Sequence, residues 1–371
     1  MARLAFTQKV DGQWDLYTSA LDGTDRQRVT NDPQREVSPL WSPGGDVLAF
    51  SYAASNAPLG WAETEGLFIL SAGGKGPTQI ATGVVEEPAF SSDGTLISYT
   101  GAERDSFFCG LKVPTIRVVA SNSGNSLMEM PGAFPVWIPG QQQLVFLSAA
   151  DMSDSNAQPA IADIRTGEIT PLAPQLGFPF TASPDGRHLY WIMRDASEKN
   201  DDDTLVETGT DGLASQNLSA LPGGFFNYFL TSYAGCSTPR EPIRSWSADG
   251  TRLIIWRNPE SLRARHSNEI NTDLAQMELA ILDIGTPGAA WRVIPYRNLL
   301  SDNPASMRPT SDTMFGIENA VWLPDGESII YSVAGGPRWF PFAYAFETGK
   351  RTALFPDIPS DQFAFVACCG H

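Results

Sequence analysis

The sequence predicts an all-β protein, a β-propeller of four-stranded antiparallel blades. Seven blades are expected, with six as the alternative, and the ring is expected to close by pairing the N- and C-terminal strands. Three observations carry this. A short turn phrase recurs six times, a β-rich run ending in an aromatic follows the copies, and a second strand pair with its own tight turn comes next. A period in the forties with insertions is the signature of repeated supersecondary units.

The phrase copies are Trp41-Ser42-Pro43-Gly44-Gly45, Phe90-Ser91-Ser92-Asp93-Gly94, Trp137-Ile138-Pro139-Gly140, Ala182-Ser183-Pro184-Asp185-Gly186, Trp246-Ser247-Ala248-Asp249-Gly250 and Trp322-Leu323-Pro324-Asp325-Gly326. Pro presets φ, Asp bonds the backbone two residues on, and Gly accepts positive φ, so each phrase reads as a tight turn. The runs that follow, such as Val47–Phe50, Leu96–Tyr99, His188–Trp191 and Ser328–Tyr331, read as strands. Third strands with Gly-ended turns come next, as in Asp15–Gly23, Gly66–Gly74, Thr115–Gly124, Ala160–Gly167, Leu205–Gly212, Glu278–Gly285 and Phe342–Gly349. Short fourth strands such as Gln27–Thr30 complete each unit.

The chain begins partway through a unit, because Arg3–Thr7 reads as a second strand with no turn phrase before it. Gln362–Ala367 can supply the missing first strand and remove two exposed edges. The expected organisation is a single domain, 1–371. Its first blade is built from 3–30 plus 362–367, and the others span about 38–81, 87–130, 134–172, 179–219, 243–295 and 319–355.

The pairing of the Trp-Ser-Pro-Asp-Gly phrase with the Leu-Tyr…Asp-Gly run (Leu16-Tyr17…Asp22-Gly23) resembles the TolB-type, WD40-like (PD40) propeller repeat, from Leu4 to about Phe355. Gly44 and Gly140 in place of Asp, and Ala182 in place of the aromatic, depart from that pattern. The resemblance implies a repeat scaffold and says little about chemistry. It also implies an extracytoplasmic (periplasmic or cell-surface) setting, although Met1-Ala2-Arg3-Leu4 carries no signal-peptide pattern.

A formal charge of −17 and the lack of a basic patch argue against nucleic-acid binding. No apolar run approaches the roughly 20 residues of a membrane-spanning helix. Cys109 and Cys236 fall in long loops and either pair or stay free, and Cys368-Cys369-Gly370-His371 is a poor match to a prenylation box.

The turns between strands one and two, and between three and four, are tight. Every long connection lies elsewhere: Ala53–Glu65, Gly101–Pro114, Ala149–Gln158, Arg194–Asp203, Arg257–Met277 and Ala334–Pro341 between strands two and three, and Leu221–Glu241 and Arg297–Glu318 between blades. In an up-and-down blade these must share one face, where binding loops gather on a rigid scaffold. Neutral drift would decorate both faces.

Residues expected just before the first strands, around the channel mouth on that face, are Glu36, Glu86, Glu87, Phe134, Phe180, Arg244 and Glu318. Carboxylates facing one Arg can hold a polar ligand, and each alone is equally explained as hydrated loop. Phe226, Tyr228 and Tyr233, with Trp61 and Trp339, form the aromatic part of the face. They either anchor a sugar or peptide or fold inward as a plug. Trp41, Trp137, Trp246 and Trp322 read instead as packing between blades.

Three histidines, His188, His266 and His371, are too few and scattered for a clustered-His metal site. The acidic run Asp195–Asp203 lacks calcium-loop spacing, and no nucleophile elbow or phosphate loop is present. The expectation is a noncatalytic module with no catalytic residue, metal or cofactor, engaging a protein segment or extracellular polymer on the loop-rich face. The alternatives are a carbohydrate-active enzyme using carboxylates in the channel funnel, and a purely structural domain of an envelope assembly.

Overall fold

In the four phrase copies that carry serine, the turn closes by the same bonds. The serine hydroxyl donates to the turn aspartate, and the amide five residues on donates to the serine oxygen. The distances are 2.6 and 2.9 Å at Ser91, 2.5 and 3.0 Å at Ser183, and 2.5 and 2.9 Å at Ser247. Where Gly44 replaces the aspartate, Asp46 takes its place: Ser42 donates to it at 3.0 Å and still accepts from the Val47 amide at 3.0 Å. Gly45, Gly94, Gly186 and Gly250 hold the positive φ that ends each of these turns.

The structure, a computed structural model, describes residues 2–53, 64–71, 76–103, 112–148, 158–172, 180–193, 203–211, 215–221, 246–257, 278–284, 291–299, 315–335, 338–359 and 362–370. These residues form seven antiparallel sheets, the blades of a β-propeller. The first blade contains β1 (Arg3–Val10), β2 (Gln13–Ala20) and β3 (Gln27–Arg28), and β27 (Phe363–Gly370) takes its first-strand place. β27 pairs with β1 through Phe6↔Val366 and Gln8↔Phe363, so the two ends of the chain close one blade, as the sequence predicts. The second blade is β4 (Glu36–Trp41), β5 (Val47–Ala53), β6 (Thr64–Ser71) and β7 (Thr78–Ala81).

The third blade is β8 (Val84–Phe90), β9 (Leu96–Glu103), β10 (Lys112–Ala120) and β11 (Ser126–Pro131). The fourth is β12 (Ala133–Trp137), β13 (Gln143–Ser148), β14 (Gln158–Asp163) and β15 (Ile169–Pro171). The fifth is β16 (Phe180–Ala182), β17 (His188–Met193), β18 (Asp203–Gly209) and β19 (Ser215–Leu221). The sixth shows three described strands, β20 (Arg252–Arg257), β21 (Glu278–Asp283) and β22 (Arg292–Pro295), with a Trp246↔Leu253 bridge where its first strand belongs. The seventh is β23 (Phe315–Trp322), β24 (Ser328–Gly335), β25 (Arg338–Ala345) and β26 (Lys350–Ala353). One helical turn, α1 (Tyr296–Leu299), interrupts this all-β pattern, and its Leu299 carbonyl accepts from the buried Tyr331 hydroxyl at 2.7 Å.

Three first strands carry a register shift two or three residues before their final Trp, between Val37 and Leu40, Ala133 and Val136, and Glu318 and Val321. Ser38 and Phe134 hold positive φ within two of these shifts, as bulge residues do. Pro39 and Pro135 follow them, at points where a ladder N–H is not required.

By contacts the chain divides into two compact units. One is Met1–Ile97, Val119–Ser126 and Leu299–His371, and the other is Ser98–Val118 and Leu127–Asn298. Within the first, Leu4 and Phe6 pack with Ile330, Leu354 and Phe355, while Ala5 and Leu16 on the opposite face pack with Leu48, Phe50 and Tyr52. Gly23 lies against the Leu354 carbonyl at a distance that a Cβ would reduce to 2.3 Å. Within the second unit, Val145 and Ile161 pack with Leu189 and Trp191, and Tyr190 and Leu205 pack with Leu253, Ile255 and Leu282. Each such side chain, fully buried, contributes about 1.5–3 kcal/mol. Of the four phrase tryptophans, Trp137 and Trp322 are buried, and Trp41 and Trp246 are half-buried against these seams.

Candidate functional site

Strand pairing gives several blades one plain end and one elaborated end, whereas the first is tight there, with Val10↔Gln13 closing β1 onto β2. The phrase turns close one end, as where the Ser42 amide donates to Val47 O at 2.8 Å and that of Ser183 to His188 O at 2.9 Å. At the other end the second and third strands part at Ala53↔Thr64, Ser148↔Gln158, Met193↔Thr204 and Arg257↔Glu278. In the seventh blade β24 and β25 instead stay paired as far as Gly335↔Arg338, so most of the loop expected at Ala334–Pro341 is strand. The connections leaving from those four points are insertions singled out in the sequence, and in the second, fourth and fifth blades they share the end at which the first strand enters.

The sequence-predicted residues divide by where they fall. Arg244, Phe226, Tyr228, Tyr233 and Trp61 lie outside the described residues, as do Cys109, Cys236, His266 and the acidic run 195–202. Glu87 lies in β8, Phe180 opens β16, Glu318 lies in β23 and Trp339 in β25. The first strands therefore begin earlier than the turn phrases suggest, and these residues sit inside strands rather than before them. They also occupy different registers. Glu36 stands five residues before its phrase aromatic, Glu318 four, Glu87 and Phe134 three, and Phe180 two before Ala182. Since side chains alternate faces along a strand, these differing distances from the turn do not give a shared direction.

Two of the predicted residues are buried: Phe134 at 4% exposure, in the core with Ile138 and Trp191, and Glu36 at 0%. Glu36 opens β4 opposite Tyr52. Neither of its carboxylate oxygens has a partner at hydrogen-bonding geometry. Burial is the main reason its pKa rises from 4.5 to about 8. Nearby Asp32 and Asp15 add to the rise, and the Thr30 hydroxyl, which accepts from the Leu16 amide at 2.9 Å, tempers it.

Around it lies a polar network that the sequence reading did not single out. The Tyr52 hydroxyl donates to Asp32 at 2.8 Å, and burial together with that carboxylate raises the tyrosine pKa. Gln13 donates to the Asp32 carbonyl and, at 3.3 Å, to Asp15. Asp15, its side chain fully buried, is paired with Arg28 at 2.5 Å. The Arg35 guanidinium lies over Trp14 with 5.2 Å to the ring centroid, and burial lowers its pKa. No motif spacing marks these residues, because they come from four strands and one connection. Only the acidic Asn31-Asp32-Pro33 turn ahead of Glu36 offered a signal.

The described histidine, His188, pairs with Glu207 at 3.2 Å between the two inner strands of the fifth blade, β17 and β18. Among the described residues, no group of three or more His, Cys, Asp or Glu side chains converges as a metal site requires. Nor is any described helix long and apolar enough to cross a membrane.

No family model matches the chain, and no curated protein does. Solved structures do. An oligogalacturonate lyase in complex with manganese superposes with a TM-score of 0.62 at 13% identity, over 94% of this chain and 87% of that one. An oligogalacturonate lyase from Vibrio parahaemolyticus gives 0.56 at 12% identity, over 89% and 82%. TolB from Acinetobacter baumannii gives 0.50 at 13% identity, over 99% of this chain but 66% of that one, so the chain spans just under two thirds of TolB. At such identities the likeness is one of fold, a TolB-like propeller. The manganese of the first neighbour finds no counterpart donor set among the described side chains.

Proposed function

We propose that this chain is a noncatalytic binding module of the TolB-like, WD40-like (PD40) repeat kind. It engages a protein segment or an extracellular polymer at the insertion-bearing end of its blades, in an extracytoplasmic setting. The observation that carries this reading is the asymmetry of the blades. Four of them part their second and third strands, for an insertion, at the end opposite the tight phrase turns. A rigid sheet scaffold with variable connections at one end is how propellers and other β folds present ligand-binding surfaces.

Glu87, Phe180, Glu318 and Trp339 lie on strands that reach that end, and Trp61, Phe226, Tyr228, Tyr233 and Arg244 belong to its insertions. Glu36 and Phe134 support it from beneath as buried strand residues. The fold likeness to TolB supports the extracytoplasmic setting and a protein partner.

A pull-down with the full chain, with and without residues 222–240, followed by hydrogen-exchange mapping of the captured complex, tests the reading. Protection at the insertions and none at Asp93-Gly94, Asp185-Gly186 and Asp325-Gly326 is the expected result. Protection centred on those turns refutes the assignment of the binding end. Depolymerisation of an acidic polysaccharide by the purified chain replaces the binding module with a carbohydrate-active enzyme.

A further inference from the structure

β4 packs against β1 and β27, the two strands that close the first blade, and Glu36 is its first residue. The groups around that carboxyl are acids and hydroxyls. β2 brings Asp15, the β3–β4 connection brings Thr30 and Asp32, and β5 brings Tyr52. The cations of the neighbourhood are engaged elsewhere: Arg28 with Asp15, Arg3 with Asp25 at 2.7 Å, and Arg35 over Trp14. Lys9, half-buried, lies at the same end of β1, opposite Trp14, and β1 also offers the buried Thr7. β27 contains no Asp, Glu, Lys, Arg or His, and Cys368 and Cys369 are its titratable residues. An ionised Glu36 would thus be a buried charge beside two other carboxylates, with its oxygens unpartnered and no cation among the groups that act on it.

We propose that the seam between β4 and the closing strands β1 and β27 holds a proton on Glu36, so that closure of the first blade tightens in acid and loosens as that proton is lost. Closed, the carboxyl is neutral and packs beneath Tyr52. When the seam opens, water reaches the carboxyl and it ionises as an ordinary glutamate. The seam is therefore strongest below the open-state pKa and weakens as pH rises toward the closed-state pKa. A group shifted from 4.5 to about 8 places that window between pH 4.5 and 8.

The test uses the full chain and two readouts. Carboxyl-carbon NMR of the wild-type protein follows the Glu36 resonance, and hydrogen exchange, corrected for the chemical exchange rate, follows the amides of Phe363–Gly370. The Glu36 resonance is expected to titrate well above pH 6. Opening at β27 is expected to rise on the order of fifty-fold between pH 5.5 and 7.5 in the wild type, and to stay nearly flat in Glu36→Gln. If Glu36→Gln fails to fold, the wild-type resonance decides alone. A Glu36 signal titrating below about pH 5.5, or β27 exchange with the same pH slope in both proteins, overturns the proposal.

Discussion

The seam between the first and second blades and the seam between the fifth and sixth are made from the same repeat but filled differently. In the first, Ala5, Leu16, Leu48, Phe50 and Tyr52 form the apolar part. That seam then ends in Asp15, Thr30, Asp32 and a fully buried Glu36. In the second, Tyr190, Leu205, Leu253, Ile255, Ala280 and Leu282 are joined by Leu218, Trp246, Ile284 and Trp291, an apolar contact through most of its depth. The second-strand position just after the phrase-run aromatic also varies from blade to blade. It holds buried hydroxyls in four blades, Thr7, Ser51, Thr100 and Ser332, and an apolar residue, Leu147, in the fourth. The repeat therefore fixes the turn and the aromatic that follows it, while the filling of a seam near its insertion-bearing end is free to change. A polar filling costs stability unless every group is paired, which makes the first seam the weaker and more condition-dependent of the two.

The harshest way to break the comparison is to remove β27. Truncation after Asp361 deletes the partner of β1 and exposes two strand edges. Loss of a cooperative melt, with aggregation, is expected by calorimetry and light scattering. A truncated chain that melts like the full one would show that the first seam does not depend on closure.

Next in size is Trp191→Ala in the second unit. Trp191 is fully buried, and its indole N–H donates to Thr208 at 2.9 Å. Removing it leaves a cavity and an unpaired hydroxyl, at a cost of about 3–5 kcal/mol by denaturant unfolding. Tyr52→Phe in the first seam should cost about 1–2 kcal/mol, since it removes a single hydrogen bond to Asp32 and keeps the packing. A Tyr52→Phe loss that exceeded that of Trp191→Ala would invert the ranking of the two seams.

Much of the fold was legible because turn chemistry is local. Ser, Pro, Asp and Gly at fixed spacing specify a tight turn whatever surrounds it, and the closing role of 362–367 followed from a missing strand. The first-strand bulges were harder to read. Pro39 and Pro135 hint at them, but the positive φ of Ser38 and Phe134 is set by the register of the partner strand. The site was legible only as an end of the blades. Whether Glu36 meets solvent or core depends on strands from three parts of the chain, and sequence neighbours carry no trace of that.

A gentler probe separates local from neighbouring constraint. Gly140 and Gly186 share a positive φ, 73° and 68°, in equivalent turns. A Cβ at Gly140 meets nothing within 4 Å, whereas one at Gly186 would lie 2.0 Å from the Pro139 carbonyl oxygen of the preceding blade. Gly140→Ala should cost about 1 kcal/mol, from backbone conformation alone. Gly186→Ala should cost roughly 1–3 kcal/mol and also disturb the Gln141 side-chain bond to the Gly186 carbonyl, 2.7 Å long. Equal losses would mean that the turns of the second unit are set by their own backbone and not by the blade before them.

The smallest effect lies in acid, and it has the opposite sign from that of Glu36. The Asp249 carboxylate accepts from Ser247 Oγ at 2.5 Å and from the Thr251 amide at 3.0 Å. These bonds, the Ser247 hydroxyl first, hold its pKa down from 3.8 to about 2. A lowered pKa stabilises the fold above the unfolded value and is lost as pH falls through the folded one, so the turn should weaken between about pH 4 and 2. Asp249→Asn keeps the shape and removes the titration. Its melting temperature should fall less steeply than that of the wild type over that range, with little difference near neutrality, where the exposed turn adds only a small increment. Glu36→Gln should diverge from the wild type in the other direction and at higher pH, between 4.5 and 8, where the buried carboxyl gives up its proton on opening. Melting curves for both variants from pH 2 to 9 would separate the polar seam from the polar turn. Curves that diverge in one common window would mean that a single shared group governs both.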